Sequence, residues 1–387
     1  MDAGVLAGCG PGAVSFVIPK ILVRRAPAGA GPKVPAPEGT ESGVSPDSLT
    51  PSGSGCAQAP PRMRLRGRIL SWSRGNVPVV ISDLVLGTMY FGTRTDRDTS
   101  FALLDRFVEA GGRWIDTANC YAFWADESGH GGQSEGVLGD WLRANPGVRE
   151  RVEIATKVGV EPDESGHAEG LSAEAVRRGA EGSLARLGVD RIDLFWAHAR
   201  DLATPIEETA EAMGALVTDG HAARLGLSNH PTWLVERARA HATARGLEPV
   251  TALQLSTSYV EPRPGAAVEG KDHRFGWVTE ETRDYVEQHP EVEVWAYSPL
   301  IQGAFDREDR PFPDAYFHPG TTARLATLAG VAGRLGVAPS VVVLAWLVRR
   351  GISPIIGVSS VDQLESALAA GDLALDDDLM AQLDEPA

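Results

Sequence analysis

From residue 83 onward the chain alternates a short apolar or β-branched run with a longer amphipathic stretch, eight times over. The runs are "DLVLG" (83–87), "RWID" (113–116), "VEIATK" (152–157) and "IDLFWAH" (192–198). Four more follow: "ARLGLS" (223–228), "ALQLST" (252–257), "VEVWAYS" (292–298) and "SPIIG" (353–357). Between them, segments such as "DTSFALLDRFVEAGG" and "SAEAVRRGAEGSLARLG" repeat apolar residues at three- and four-residue steps and close on glycine, the period and stop of a helix. Strand alternating with helix implies a parallel α/β protein. An open doubly wound sheet would carry a glycine fingerprint after its first strand. Here that strand runs into "GTMYFG", which does not fit, and "SGHGGQSEG" lacks the Lys-Ser/Thr ending of a phosphate loop. The pattern therefore predicts a closed (β/α)8 TIM barrel of eight strands and eight helices, whose chemistry sits at the C-terminal ends of its strands.

Composition sets the limits of that domain. Residues 1–62 are rich in Pro, Gly, Ala and Ser with little to bury, which predicts a disordered extension. It is either a true tail or sequence translated upstream of Met63, and the folded unit is expected over 66–387. A net charge of −16 in 387 residues argues against nucleic acid or an anionic membrane as partner. No apolar run approaches a membrane span and no signal peptide is legible. Cys9, Cys56 and Cys120 are scattered and show no metal-ligand spacing, which suits a reducing cytoplasm without disulfides or a bound metal.

Polar residues stand where the strands end. "WIDTANCY" places Asp116 at the tip of the second strand and Tyr121 five residues on. A helix cap is the ordinary use of such an aspartate. Lys157 ends the third strand, His198 the fourth, Ser228 and Asn229 the fifth; Gln254 lies in the sixth, and Tyr297 and Ser298 close the seventh. Asp, Tyr, Lys and His at one rim make chemical sense. An ammonium beside a phenol of ordinary pKa near 10 lowers that pKa, and a buried carboxylate holds the ammonium charged. A neutral imidazole donates to a carbonyl oxygen. The set describes a general acid suited to reducing C=O.

These segments resemble the aldo-keto reductases over residues 77–370. "LVLGTMYFG" is similar to that family's first strand and "DTANCY" to its Asp-Thr-Ala-x-x-Tyr segment. "IATKVG", "GLSNH", "AYSPLIQGAF" and "PIIGVSSVDQL" follow in the family's order. The resemblance implies a catalytic tetrad of Asp116, Tyr121, Lys157 and His198, with Tyr121 as proton donor. Asp116 then serves as the lysine's counter-ion rather than as a cap. It also implies NADP(H) across the barrel mouth, near Gly87, Thr88 and Met89. Ser228, Asn229 and Gln254 would hold the carboxamide, with Tyr297 stacked on the nicotinamide. Ser298, Leu300 and Gly303 would line the pyrophosphate, and Gly357, Ser359 and Gln363 the adenosine end. Gly357 and Gln363 stand where many relatives carry basic residues, so NAD(H) is expected to serve as well, and Ala367 stands where an asparagine often contacts adenine.

The chain departs from the family pattern at "ARD" after His198, at a longer loop over 122–133 and at an insertion over 258–278. Tyr90, Phe123, Trp124 and Trp196 are candidate walls for a small-molecule carbonyl substrate; for Trp196, packing within its strand is an equal alternative. Sugars, quinones, polyketide ketones and simple aldehydes all satisfy this reading, and the oligomeric state is open. A regulatory protein that binds the cofactor with little turnover is the rival from another class. A carboxylate-pair hydrolase would need a second acid at a strand end, and only Asp116 stands at one.

Overall fold

The computed structural model describes residues 80–163, 165–268 and 275–385. The expected extension over 1–62 lies outside them, as do 269–274 within the insertion. Eight parallel strands close a barrel in chain order. They are β1 Val85–Gly87, β2 Trp114–Asp116, β3 Glu153–Val158, β4 Ile192–Ala197, β5 Ala222–Ser228, β6 Ala252–Ser256, β7 Glu293–Tyr297 and β8 Ile352–Gly357. Each falls within two residues of the run read from the sequence.

The helices are α1 Arg97–Glu109, α2 Gln133–Ala144, α3 Ala173–Leu187, α4 Ile206–Thr218 and α5 Thr232–Ala244. After them come α6 Glu280–Gln288, α7 Pro319–Leu335, α8 Pro339–Arg349, α9 Val361–Leu368 and α10 Asp377–Asp384. Ten α-helices among the described residues exceed the eight expected by two: α10 follows the last barrel helix, and a break divides α7 from α8. Gly336, at φ 68°, caps α7 in the left-handed conformation, and Pro339 restarts the chain as the first residue of α8. The pair bends by 101° at that break, and no single described helix is long and apolar enough to cross a membrane. Side-chain caps fix the starts of other helices: Asp96 for α1, Ser172 for α3, Thr279 for α6, Ser360 for α9 and Asp376 for α10.

Strand period divides the core in two. One set of side chains faces the helices. The other fills the barrel: Val85, Ala155, Leu194, Trp196, Ala252, Trp295 and Ile355, with Trp114 packed against them. Three indoles meet edge to face inside it, Trp114–Trp295 at 5.0 Å and Trp196–Trp295 at 5.4 Å. Gly226 of β5 makes room for them, because a Cβ there would lie 2.1 Å from the Trp196 ring. The barrel floor is thus packed solid, and polar side chains collect one layer above it.

Candidate active site

Asp116 is the last residue of β2 and Lys157 the fifth of β3. Period two turns both inward, into the layer above Trp114 and Ala155. Both are buried. Lys157 Nζ lies 2.5 Å from Asp116 Oδ2 and donates to the Thr117 carbonyl at 2.7 Å. Gln254 of β6 donates through Nε2 to the other carboxylate oxygen at 3.0 Å. Burial pushes the Asp116 carboxyl upward, while Lys157 and Gln254 oppose it. Asp116 begins no helix; it closes β2 and is the ion-pair partner of Lys157.

Tyr121 follows on the loop after β2. Lys157 Nζ stands 4.8 Å from the centroid of its ring. His198, directly after β4, packs edge-on to the same ring with centroids 5.8 Å apart. The structure therefore brings all four expected residues together. One expectation about them needs correction. The ammonium does not draw the phenol's pKa down: desolvation by the surrounding protein, then the charge of Asp116, push it well above 10.0.

Around this centre the mouth is lined by the fifth, sixth and seventh strands. Asn229, at φ 60°, donates through Nδ2 to the His198 carbonyl at 3.0 Å and to Ser228 Oγ at 3.1 Å. Its Oδ1 accepts from the Tyr297 hydroxyl at 2.8 Å. The returning end of the long insertion joins this corner. Ser256 donates to the Gly276 carbonyl, Val278 donates to that of Ser256, and Tyr297 reaches Gly276 at 3.4 Å. Beyond β7 the backbone turns through left-handed positions at Ser298, Ile301, Gln302 and Gly303, with Leu300 half-buried between them. At the end of β8, Gly357 and Ser359 are exposed, and Gln363 Oε1 accepts from Ser359 N at 2.9 Å and Oγ at 3.2 Å. Ala367 is instead buried on the underside of α9.

Gly87 and Met89 stand at the mouth, but Thr88 does not offer its side chain there. Its hydroxyl is fully buried, donating to the Asp116 carbonyl at 3.0 Å and meeting Ser134 Oγ at 2.8 Å. Trp196 is likewise no substrate wall. It lies one inward position below His198, fully buried in the barrel floor. The other three aromatics do gather at the tetrad tyrosine: Trp124 meets Phe123 at 5.1 Å and both Tyr90 and Tyr121 at 6.4 Å.

Two elements of the site were missed from sequence. The loop after β3 clamps the Tyr121 segment with two half-buried carboxylates. Glu169 accepts from Asn119 Nδ2 and Gly159 N, each at 2.7 Å, and both oxygens of Glu161 accept from Gly131 N. Gly131 itself presses on that segment, for a Cβ there would sit 2.4 Å from the Cys120 Cα. The glycines of "SGHGGQ" were the available signal, and close approach is what they supply.

Comparison with known proteins agrees with this geometry. The model of the "Aldo/keto reductase family" matches residues 83–387. The chain is 30% identical over 358 residues to norsolorinic acid reductase stcV of Emericella nidulans, covering 85% of this chain and 83% of that one. It is 31% identical over 325 residues to the uncharacterized oxidoreductase YrpG of Bacillus subtilis, covering 80% and 94%. It is also 40% identical over 168 residues to aflatoxin B1 aldehyde reductase member 2 of Homo sapiens, covering 43% of each. With that match running through the strand-end residues of a closed eight-stranded barrel, the chain belongs to the aldo/keto reductase family.

Proposed function

We propose that this oxidoreductase reduces an aldehyde or ketone to an alcohol with NADPH, and that Tyr121 delivers the proton. The buried Lys157–Asp116 pair beneath the Tyr121 ring carries the reading. The donor set at the mouth suits a nicotinamide: the Ser228 hydroxyl and the Asn229 and Gln254 amides can answer a carboxamide, and the Tyr297 ring can stack. The turn at 298–303 and the 357–363 segment would hold the rest of the dinucleotide, and Gly357 opens onto free space there. When bound, the nicotinamide supplies the hydride.

The protein's own part is the proton and its placement. Tyr121 stays protonated at neutral pH because its pKa is raised. A developing alkoxide is a strong base and takes up the phenol's proton. Lys157 then stabilises the phenolate left behind, and Asp116 keeps Lys157 charged and in place. His198 orients the carbonyl oxygen by donating a hydrogen bond.

The Tyr90, Phe123 and Trp124 cluster favours a flat apolar carbonyl compound over a sugar, since edge-to-face aromatic contacts reward planar partners. Two relatives named for norsolorinic acid and for aflatoxin B1 aldehyde support that choice. Steady-state NADPH oxidation with aromatic, aliphatic and sugar carbonyls tests it. The same assay separates an enzyme from a cofactor-binding protein with little turnover. Tyr121→Phe is expected to keep NADPH binding and lose roughly 10²–10⁴-fold in turnover; retention of more than about a third of the wild-type rate would remove Tyr121 from this role.

A further inference from the structure

We infer that Cys120 is a positioning residue whose thiol donates to Nδ1 of His198 and thereby selects the imidazole tautomer that carries its proton on Nε2. The inference rests on the reading of His198 given above and adds to it a side chain which that reading does not use. Cys120 Sγ lies 3.5 Å from His198 Nδ1, within the range of a sulfur hydrogen bond. The thiol is 1% exposed and packs with Ala118 and Phe123, so water does not compete for the contact.

Both partners are held independently of the contact they make. On one side Gly131 presses on the Cys120 backbone and is itself held by Glu161 at 3.0 and 3.1 Å. On the other, His198 N donates to the Val158 carbonyl at 2.9 Å, and its own carbonyl accepts from Asn229. The backbones that carry the sulfur and the nitrogen are therefore held by contacts other than the one between them.

The chemistry sets the direction of the bond. A neutral imidazole has one donor and one acceptor nitrogen, and the partner of one decides what the other presents. Sulfur is a weak acceptor, whereas an imidazole lone pair is a strong one, so S–H to nitrogen is the favoured pairing. Burial, with the nearby Glu161, Glu169 and Glu135 carboxylates, pushes the thiol well above its ordinary range despite the opposing Lys157. The sulfur keeps its proton at neutral pH. Nε2 then carries the N–H, as the orienting role requires.

The test combines ring-nitrogen NMR of the ¹⁵N-histidine-labelled full chain with kinetics. The His198 signals are assigned by their loss in His198→Gln. The expected spectrum has an unprotonated Nδ1 and a protonated Nε2. Cys120→Ala should mix the tautomers and lower kcat/KM about fivefold, one net hydrogen bond's worth, with NADPH affinity unchanged. Cys120→Ser keeps a donor and should recover most of the loss. Cys120→Val fills the space without a donor and should stay low. In the His198→Gln background, Cys120→Ala should cost nothing more. A protonated Nδ1 in the wild-type chain would overturn the inference. So would a Val variant as active as the Ser one, or the same fivefold loss without His198. Full turnover by His198→Gln alone would instead remove His198 from the reaction, and the ring-nitrogen spectrum would still decide whether the thiol donates.

Discussion

At Tyr121 two effects oppose one another: Lys157 over the ring favours the phenolate, while desolvation and the charge of Asp116 favour the phenol, and the second pair prevails. A pH dependence follows. Reduction needs the protonated tyrosine, and a raised pKa keeps it protonated as pH rises through the neutral range. The tyrosine should therefore impose no fall in kcat/KM for reduction between about pH 6 and 10, the latter being the ordinary phenol pKa. Oxidation of the alcohol, which needs the phenolate, should rise with pH across the same window. A fall in the reduction profile near pH 8, abolished in Lys157→Met, would mean that the ammonium prevails instead. The ion pair beneath makes a second prediction. Removing one member of a buried pair leaves an uncompensated charge and costs about 3–5 kcal/mol. Lys157→Met should be destabilised by that order in denaturant unfolding, and Asp116→Asn with Lys157→Met should recover part of it.

Among the elements, the barrel floor and the β8–α9 turn carry opposite demands. The floor requires volume to match: Gly226→Ala would place a methyl 2.1 Å from Trp196, and overpacking of this kind costs about 1–3 kcal/mol. Trp196→Phe, with its smaller ring, should reduce that cost when the two are combined, as melting temperatures would show. The turn requires charge to match instead. Ser359 and Gln363 bond one another and neither is charged. A charge-assisted hydrogen bond is worth roughly 1.5–3 kcal/mol, so its absence forgoes about 10- to 150-fold of preference for a 2′-phosphate. NADPH is expected to be preferred with NADH also accepted, and Gln363→Arg should widen the gap in kcat/KM. Arg349 and Arg350 do not fill that place: they precede β8 and pair with Asp377 and Asp384 of α10. Rejection of NADH by more than about a thousandfold, roughly 4 kcal/mol, would show that another cation holds the phosphate.

On the scale of the whole molecule, the barrel closes from β1 to β8 with all eight strands described, and its core reaches back to Leu84 and Ile81. Residues 1–62 offer little apolar surface to it. A chain begun at Met63 should therefore match the full chain in melting temperature and turnover. A large drop in either would show that the extension docks on the barrel.

Alternation determined that this chain is parallel α/β, and eight repeats without a glycine fingerprint after the first strand pointed to a closed barrel rather than an open sheet. Position along the runs placed Asp116 and Lys157 at strand ends and Gln254 within its strand, and residue type there suggested a proton-transfer site. Depth along the barrel axis was not legible. Trp196 and His198 share a face and differ only by one layer, so one became floor and the other site. Nor did the sequence reveal how Thr88 turns towards Ser134, how Gly131 presses on Cys120, or which effect dominates at Tyr121. Those depend on contacts between residues far apart in the chain and on the exclusion of water, and both exist only once the tertiary structure has formed.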